Sequence, residues 1–300
     1  QILVRGIILR VRPGKVAPLY EKIWMDEGSP LRVYSERITE SMSKHVDGIH
    51  IEHAMRYGNP SIRKGLENLR EAGVTELLLL PMFPHHAQAT TETALKHAYK
   101  EMKAMSWQPK TIEMGHFPTD ENYINPLAKS IESHLTEGTH LLYSYHGLPV
   151  SHVKRIDASK KHCQKAADCC SVSCSANELC YGRHCMETSI AVSEKLGLPA
   201  DRWSLSFQSR LGPVKWLTPS TTDKVKELVE RGVRDLAIVA PAFLADGLET
   251  LEELDMGIRE EFEEMGGERL TVIKCLNDDP DWILGLSEMV EGKFRASAPA

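Results

Sequence analysis

The sequence predicts an α/β protein with parallel sheets, and three observations carry that prediction. Short apolar runs such as Leu77-Leu78-Leu79-Leu80 and Leu236-Ala237-Ile238-Val239 are unbroken, as in strands covered on both faces. A stretch with helical spacing of apolar residues follows almost every run, and strands alternating with helices imply right-handed βαβ crossovers. Gly and Pro turns such as Tyr57-Gly58-Asn59-Pro60 separate the pieces. The expected architecture is two Rossmann-like domains, residues 1–117 and 118–300, with parallel sheets facing a central cleft. The second domain is expected to contain a cysteine-rich insert at 160–181, and the last helix to pack back on the first domain. Gln1 to Arg12 starts apolar with no cap or turn before it, so the first domain is expected to lack its first strand and residues to be missing upstream.

Each element follows from its own pattern. Ala17–Trp24 and Ser29–Val46 have helical spacing, whereas Gly48–Arg56 alternates Ile49, Ile51 and Ala54 with polar residues as a strand does. Ser61 opens a helix that Gly73 stops, and Glu76–Phe83 is a buried strand. Thr90–Met105 is helical, Thr111–Gly115 a short strand, Asn122–His134 a helix and His140–Tyr145 a strand. Met186–Leu196 is a helix, Trp203–Phe207 a strand and Asp223–Arg231 a helix closed by Gly232. Asp235–Ala240 is a buried strand, Leu248–Met265 a long helix, Leu270–Cys275 a strand and Asp281–Val290 a last helix.

A chain of 300 residues with 42% hydrophobic content can bury a substantial core. Lys plus Arg number 36 against 42 Asp plus Glu, a net charge of −6, so no basic surplus points to nucleic acid as a partner. No apolar run approaches the roughly 20 residues of a membrane span. The expectation is a cytoplasmic protein, at most in peripheral contact with a membrane; the sequence sets no oligomeric state.

Two segments stand out for chemistry. The run Leu141 to Tyr145 puts His146 at the carboxyl end of a strand, where open α/β sheets form their ligand crevices, although a histidine there also commonly serves structure alone. After the strand ending at Ala240, Leu248, Leu251, Leu254 and Ile258 form the buried stripe of the next helix. Glu249 and Glu253 are four apart and so expected on one face, with Asp246 just before the first turn. Stacked carboxylates suit a site that shuttles protons or receives a divalent cation; acids near a helix start also simply favour its dipole.

Of seven cysteines, six fall between Cys163 and Cys185. In a reducing compartment such clustering favours metal or iron–sulfur ligation over disulfides. The spacing lets one loop wrap four thiolates round a small cluster, and tetrahedral zinc is the alternative. Six candidates for four places leave a choice: adjacent Cys169 and Cys170 do not easily both ligate and Cys185 lies on the following helix, and the expected set is Cys163, Cys170, Cys174 and Cys180.

Five ordered segments resemble the signature segments of ferrochelatases: Met55 to Pro60; Leu80 to Pro84 with Thr90-Thr91; Tyr143 to Pro149; Ser206 to Pro213 with Trp216-Leu217; and Pro241 to Asp255. The resemblance extends over nearly the whole chain. It implies an enzyme that inserts Fe²⁺ into a porphyrin, protoporphyrin IX or coproporphyrin III, held between two Rossmann-like domains. It matches His146 to the family's active-site histidine, a base or metal contact, and Glu249 to its partner acid. Asp246 and Glu253 match the acidic line leading away, and Arg56, Tyr57, Met82 and Trp216 match pocket residues. Some microbial members bind a [2Fe–2S] cluster, which makes that cluster the leading expectation for the insert. Three departures stand against the pattern. Gly247 replaces a histidine common in the family, and His85-His86-Ala87 replaces Gln-Tyr-Ser or similar, where surface histidines are expected on a loop. Gln1 to Arg12 resembles a helix that follows the family's opening strand and Asn-Leu-Gly loop.

Overall fold

The computed structural model describes residues 9–165, 169–210 and 212–297. Residues 1–8 lie outside the described residues, and with them most of the segment on which the expectation of a lost first strand was based. Helix α1 (Leu9–Ile23) and α2 (Pro30–Ser43) lead into residues 44–61. In α3 (Ile62–Glu71) the Ser61 hydroxyl accepts the Lys64 N–H at 3.2 Å, satisfying one of the orphan donors of the first turn. Strand β1 (Glu76–Leu79) pairs in parallel with β2 (Lys110–Glu113), the crossover being a π-turn at Gln88–Glu92 and helix α4 (Thr93–Ala104).

The second sheet contains β3 (His140–His146), β4 (Trp203–Gln208), β5 (Asp235–Val239) and β6 (Arg269–Val272), all parallel, in the order β4-β3-β5-β6. Around it run α5 (Glu121–Glu132), α6 (Val150–Ile156), α7 (Tyr181–Lys195) and α8 (Thr221–Glu230). They are followed by a π-helix at Glu249–Ile258, α9 (Arg259–Glu264) and α10 (Pro280–Ser297). β3 is the central strand by chemistry as well as by position, since every residue from His140 to Tyr145 is buried. Among the described residues no helix is long and apolar enough to cross a membrane.

One core runs from Ile38 and Met42 of α2 through Phe117 and Tyr123 to Tyr143 and Tyr145 of β3, and on to Trp282 and Leu286 of α10. Each fully buried side chain of this kind is worth about 1.5–3 kcal/mol relative to its exposure. A second core lies on the other face of the sheet, where Leu142, Leu236 and Ile238 meet Leu254 of the π-helix and Phe262 of α9. α10 packs on α5, α2 and β1. Gly285 makes that packing possible, because a Cβ there would lie 2.4 Å from the Asn122 carbonyl oxygen.

Three expectations are corrected. Gly48–Arg56 forms no ladder among the described residues, apart from an isolated bridge between Met55 and Ser61. Alternation fits a strand, but a strand exists only with a neighbour, and the β1 sheet consists of β1 and β2 alone among the described residues. The first turns of the helix after β5 wind as a π-helix, with bonds from i to i+5, where the spacing predicts an α-helix. Its buried positions are Thr250, Leu254 and Ile258, each four apart, rather than the 3–4 alternation of an α-helix. α6 was not expected at all.

Candidate active site

Parallel pairing brings the carboxyl ends of β3, β4 and β5 to one side of the sheet. His146 ends β3 and pairs with Gln208 at the end of β4. The imidazole Nδ1 donates to the Gly147 carbonyl oxygen at 2.7 Å, since a carbonyl can only accept. In the neutral ring this leaves Nε2 with its lone pair. Gly147 has no space for a side chain: a Cβ would sit 2.8 Å from the Gln208 carbonyl oxygen and 3.4 Å from the Trp216 ring. Trp216 thereby closes over the backbone next to His146, and it forms an isolated bridge with Pro149. The Phe243 ring lies 6.1 Å from the His146 ring, tilted by 57°.

Gln208 joins the two sequence-predicted reactive groups. Its side-chain oxygen accepts from Ser144 at 2.6 Å, which fixes the amide, and its Nε2 donates to the Glu249 carbonyl oxygen at 3.0 Å. The strands that end in His146 and Gln208 and the start of the π-helix are thus held at one sheet end. The Glu249 carboxylate folds over Gly247, whose missing side chain would reach within 3.4 Å of Oε2.

The other two acids are engaged. Both oxygens of Glu253 are held by Ser209, from its N–H at 2.7 Å and its hydroxyl at 2.6 Å. Asp246, only 2% exposed, accepts from Thr250 Oγ1, Asn277 Nδ2 and the Cys275 N–H. These two carboxylates of the expected acidic line are tied to neighbours. A cavity of about 380 Å³ opens beyond Glu253, between Ser209, Arg210, Thr221, Glu252 and Glu261, and neither His146 nor Glu249 lines it.

Arg56 and Tyr57 sit on a separate loop, with the guanidinium 4.6 Å from the ring centroid and Tyr57 80% exposed. Met82 packs against the main core. His85 and His86 are not surface histidines. His85 is buried between Tyr123, Tyr145 and Tyr181. Because Thr188 gives its own proton to the Pro118 carbonyl, His85 Nε2 is the donor to Thr188 Oγ1 at 2.9 Å. The His86 N–H donates to His184 Nδ1, and burial pulls His184 down to about 4.

In the insert, Asp157 accepts the N–H groups of Ser159, His162 and Cys163, and Asn177 reaches Cys169, Val172 and Cys174. These bonds gather four thiols. Cys169 and Cys170 sulfurs are 3.8 Å apart, and Cys163 and Cys170 each meet Cys180. Cys180 stands at the N-cap of α7. The Cys170 thiol, and then the Arg183 and Gly182 N–H groups against the opposing effect of burial, hold it down to about 6. Burial and the neighbouring Cys180 push Cys163 up to about 12. Cys174 is held through its main chain, its N–H donating to Asn177 Oδ1 at 3.0 Å. Among the described residues no group of three or more His, Cys, Asp or Glu side chains is arranged to hold a metal ion.

Sequence reasoning did not single out Gln208, Tyr181 or Asn277. Gln208 had a signal in the Ser206–Pro213 segment at a strand end, and Asn277 one in the turn Leu276-Asn277-Asp278-Asp279-Pro280.

The parallel-sheet architecture is that of the metal chelatases. SirB from Bacillus subtilis with Fe³⁺ superposes with a TM-score of 0.56 at 13% identity, over 89% of this chain and 92% of that one. The cobalt complex of the sirohydrochlorin chelatase SirB from Bacillus subtilis subspecies spizizenii gives 0.56 at 11%, over 89% and 90%. At that identity the likeness is one of fold. A family model for ferrochelatase matches residues 1–294. The ferrochelatase of Ectopseudomonas mendocina (strain ymp) is 40% identical over 291 residues, covering 96% of this chain and 85% of the relative. That of Pseudomonas aeruginosa (strain UCBPP-PA14) is 42% identical over 288 residues, with the same coverage. The chain belongs to the ferrochelatase family, and its activity is insertion of iron into a porphyrin in haem synthesis.

Proposed function

We propose that His146 is the base that takes pyrrole protons and that Glu249 is the acid working with it. Insertion of Fe²⁺ into a free-base porphyrin forms iron–nitrogen bonds and releases two N–H protons, so a base with an available lone pair is needed at the ring. The observation that carries the reading is the bond from His146 Nδ1 to the Gly147 oxygen, which leaves Nε2 as the proton acceptor. Gln208 supports it by joining Glu249 to the same sheet end. Imidazole nitrogen and carboxylate oxygen also suit a passing contact with the substrate iron. Asp246 and Glu253 serve by shaping the π-helix, since their oxygens are already bonded. Arg56, Tyr57, Met82 and Trp216 are the porphyrin-facing residues in this reading, and a panel of protoporphyrin IX and coproporphyrin III separates the two candidate substrates.

The insert is proposed to hold a [2Fe–2S] cluster. What supports the reading is the chemistry of the donors and not a preformed site: Cys163 and Cys170 each meet Cys180, and Cys169 or Cys174 would complete four once the loop closes on a cluster. When bound, such a cluster supplies a covalent staple for the loop and a one-electron store. Clustered thiols support a reducing, cytoplasmic setting, with at most peripheral contact to the inner membrane.

The test of the catalytic assignment is the rate of iron insertion by folded His146→Ala and Glu249→Ala. A loss of about 10²-fold or more is expected for removal of a positioned acid or base. Full rates in both variants overturn it.

A further inference from the structure

We infer that Asn277 and Asp246 form a clamp that positions Glu249 for the reaction, with Asn277 an outlying positioning residue of the active site. The Asn277 side chain bonds to both the main chain and the side chain of Asp246. Asn277 Oδ1 accepts the Asp246 N–H at 2.8 Å, and Asn277 Nδ2 donates to Asp246 Oδ2 at 2.7 Å. Both residues are buried, at 6% and 2% exposure. The other Asp246 oxygen accepts from Thr250 Oγ1 at 2.9 Å, and Thr250 Oγ1 in turn accepts the Gly247 N–H at 3.1 Å. Thr250 lies next to Glu249 in the first turn of the π-helix. The path therefore runs from the loop after β6, through Asp246, to the turn that aims the acid.

Asn277 is built for this place. Its φ is +49°, a left-handed conformation that Asn tolerates better than most residues, and its own N–H donates to the Leu244 carbonyl at 2.8 Å. Asn277 thus bonds to both ends of the 244–246 segment that leads from β5 to the π-helix. A wide helix is a rare local geometry and needs outside support at its first turn. Gln208 gives that support at the Glu249 carbonyl, and the clamp gives it at Thr250. An Asp246 already accepting three bonds in a closed pocket acts by where it holds the backbone rather than by binding iron.

The chemistry of the pair allows a test by exchange. Asn277→Asp puts two carboxylates face to face, and Asp246→Asn puts two amides there with opposed donors. Asp246→Asn combined with Asn277→Asp restores the side-chain pair with the roles reversed: the amide introduced at position 246 still accepts from Thr250 while donating to the carboxylate introduced at position 277. With protoporphyrin IX and ferrous iron under anaerobic conditions, each single variant is expected to lose at least tenfold in kcat, with KM for porphyrin changed less than threefold. The double variant is expected to return to within threefold of the parent. Asn277→Asp is also expected to gain a pH profile in which kcat falls as pH rises, since the facing carboxylates must share a proton to stay paired. Should the single variants fail to fold, Thr250→Val against Thr250→Ser reads the same link: loss in the first, retention in the second. A double variant no faster than Asp246→Asn overturns the clamp and returns Asp246 to direct chemistry, and single variants with full rates overturn the clamp and exclude direct chemistry at Asp246 as well. The inference rests on Glu249 taking part in the reaction. Full activity in Glu249→Ala sinks that assignment, whereas an inactive Glu249→Ala together with a failed exchange sinks the clamp alone.

Discussion

Tyr181 donates its phenolic hydrogen to the main-chain oxygen of His146 at 2.8 Å. Tyr181 opens α7 and directly follows Cys180, so the last residue of the cysteine insert bears on the main chain of His146. Burial, the largest influence on Tyr181, keeps its hydroxyl protonated and a donor across the working pH range. Tyr181→Phe removes the donor and leaves a buried carbonyl unpaired, at a cost of about 1–3 kcal/mol. The expected outcome is a lower urea midpoint and a fall in kcat of about threefold to tenfold with little change in KM. Urea titration and steady-state insertion assays check it.

Glu253 is expected to matter more for stability than for proton traffic. Glu253→Gln replaces a carboxylate that takes two donors from Ser209 with an amide that can accept from only one of them. A loss of about 1–3 kcal/mol in unfolding free energy is expected. Ser209→Ala combined with it in a double-mutant cycle should show coupling of about 1 kcal/mol or more.

Stability should fall on acidification well before the carboxylates titrate. His140 is pulled down to about 4 by burial, then by the nearby Arg231 and Arg202, and His184 to about 4 chiefly by burial. Above pH 6.5 both rings are neutral in the folded and unfolded chains. Between 6.5 and 4 the unfolded chain binds protons that the folded chain refuses, so stability drops as pH falls through that window and levels off below it. Each ring accounts for at most about 3 kcal/mol. Urea midpoints at about pH 7 and pH 5 measure the drop, and His140→Gln, which retains a partner for Ser204, should make it smaller.

The thiol group yields an ordered set of outcomes for anaerobically purified protein. Cys163→Ser, Cys170→Ser and Cys180→Ser should each abolish the visible absorption and the matched iron and sulfide content. Cys185→Ser should leave them intact, because Cys185 is fully buried in α7. Of Cys169→Ser and Cys174→Ser, one should abolish the signal and the other retain it, which names the fourth ligand. Zinc without sulfide in the parent protein removes the cluster from the account.

Much of the fold was legible because burial writes itself into sequence most plainly where a strand is covered twice. β3 and β5 were found from unbroken apolar runs, and the sequence placed His146 at a strand end for the same reason. Gly48–Arg56 was misread because alternation records a preference for extended backbone but not the presence of a neighbour. The π-helix was hidden because Leu248, Leu251, Leu254 and Ile258 satisfy α-helical spacing, and only the packing shows that Thr250 takes an inward place. His85 sits in a loop by sequence, and nothing local reveals that Tyr145 and Thr188 enclose it. The site is legible in its reactive groups and silent about its supports: Gln208, Tyr181 and Asn277 act through main-chain oxygens and amide hydrogens, for which side-chain spacing has no code.

The winding of Glu249–Ile258 makes residue count itself a functional quantity. Removing one residue between Glu249 and Glu253 would let the backbone relax into the commoner i to i+4 closure and swing everything downstream round the axis. Serine would still lie near the sheet end and an acid would still open the coil, but Glu253 would no longer come round to Ser209. Tolerance of this segment to exchange of one amino acid for another should therefore be far greater than its tolerance to shortening.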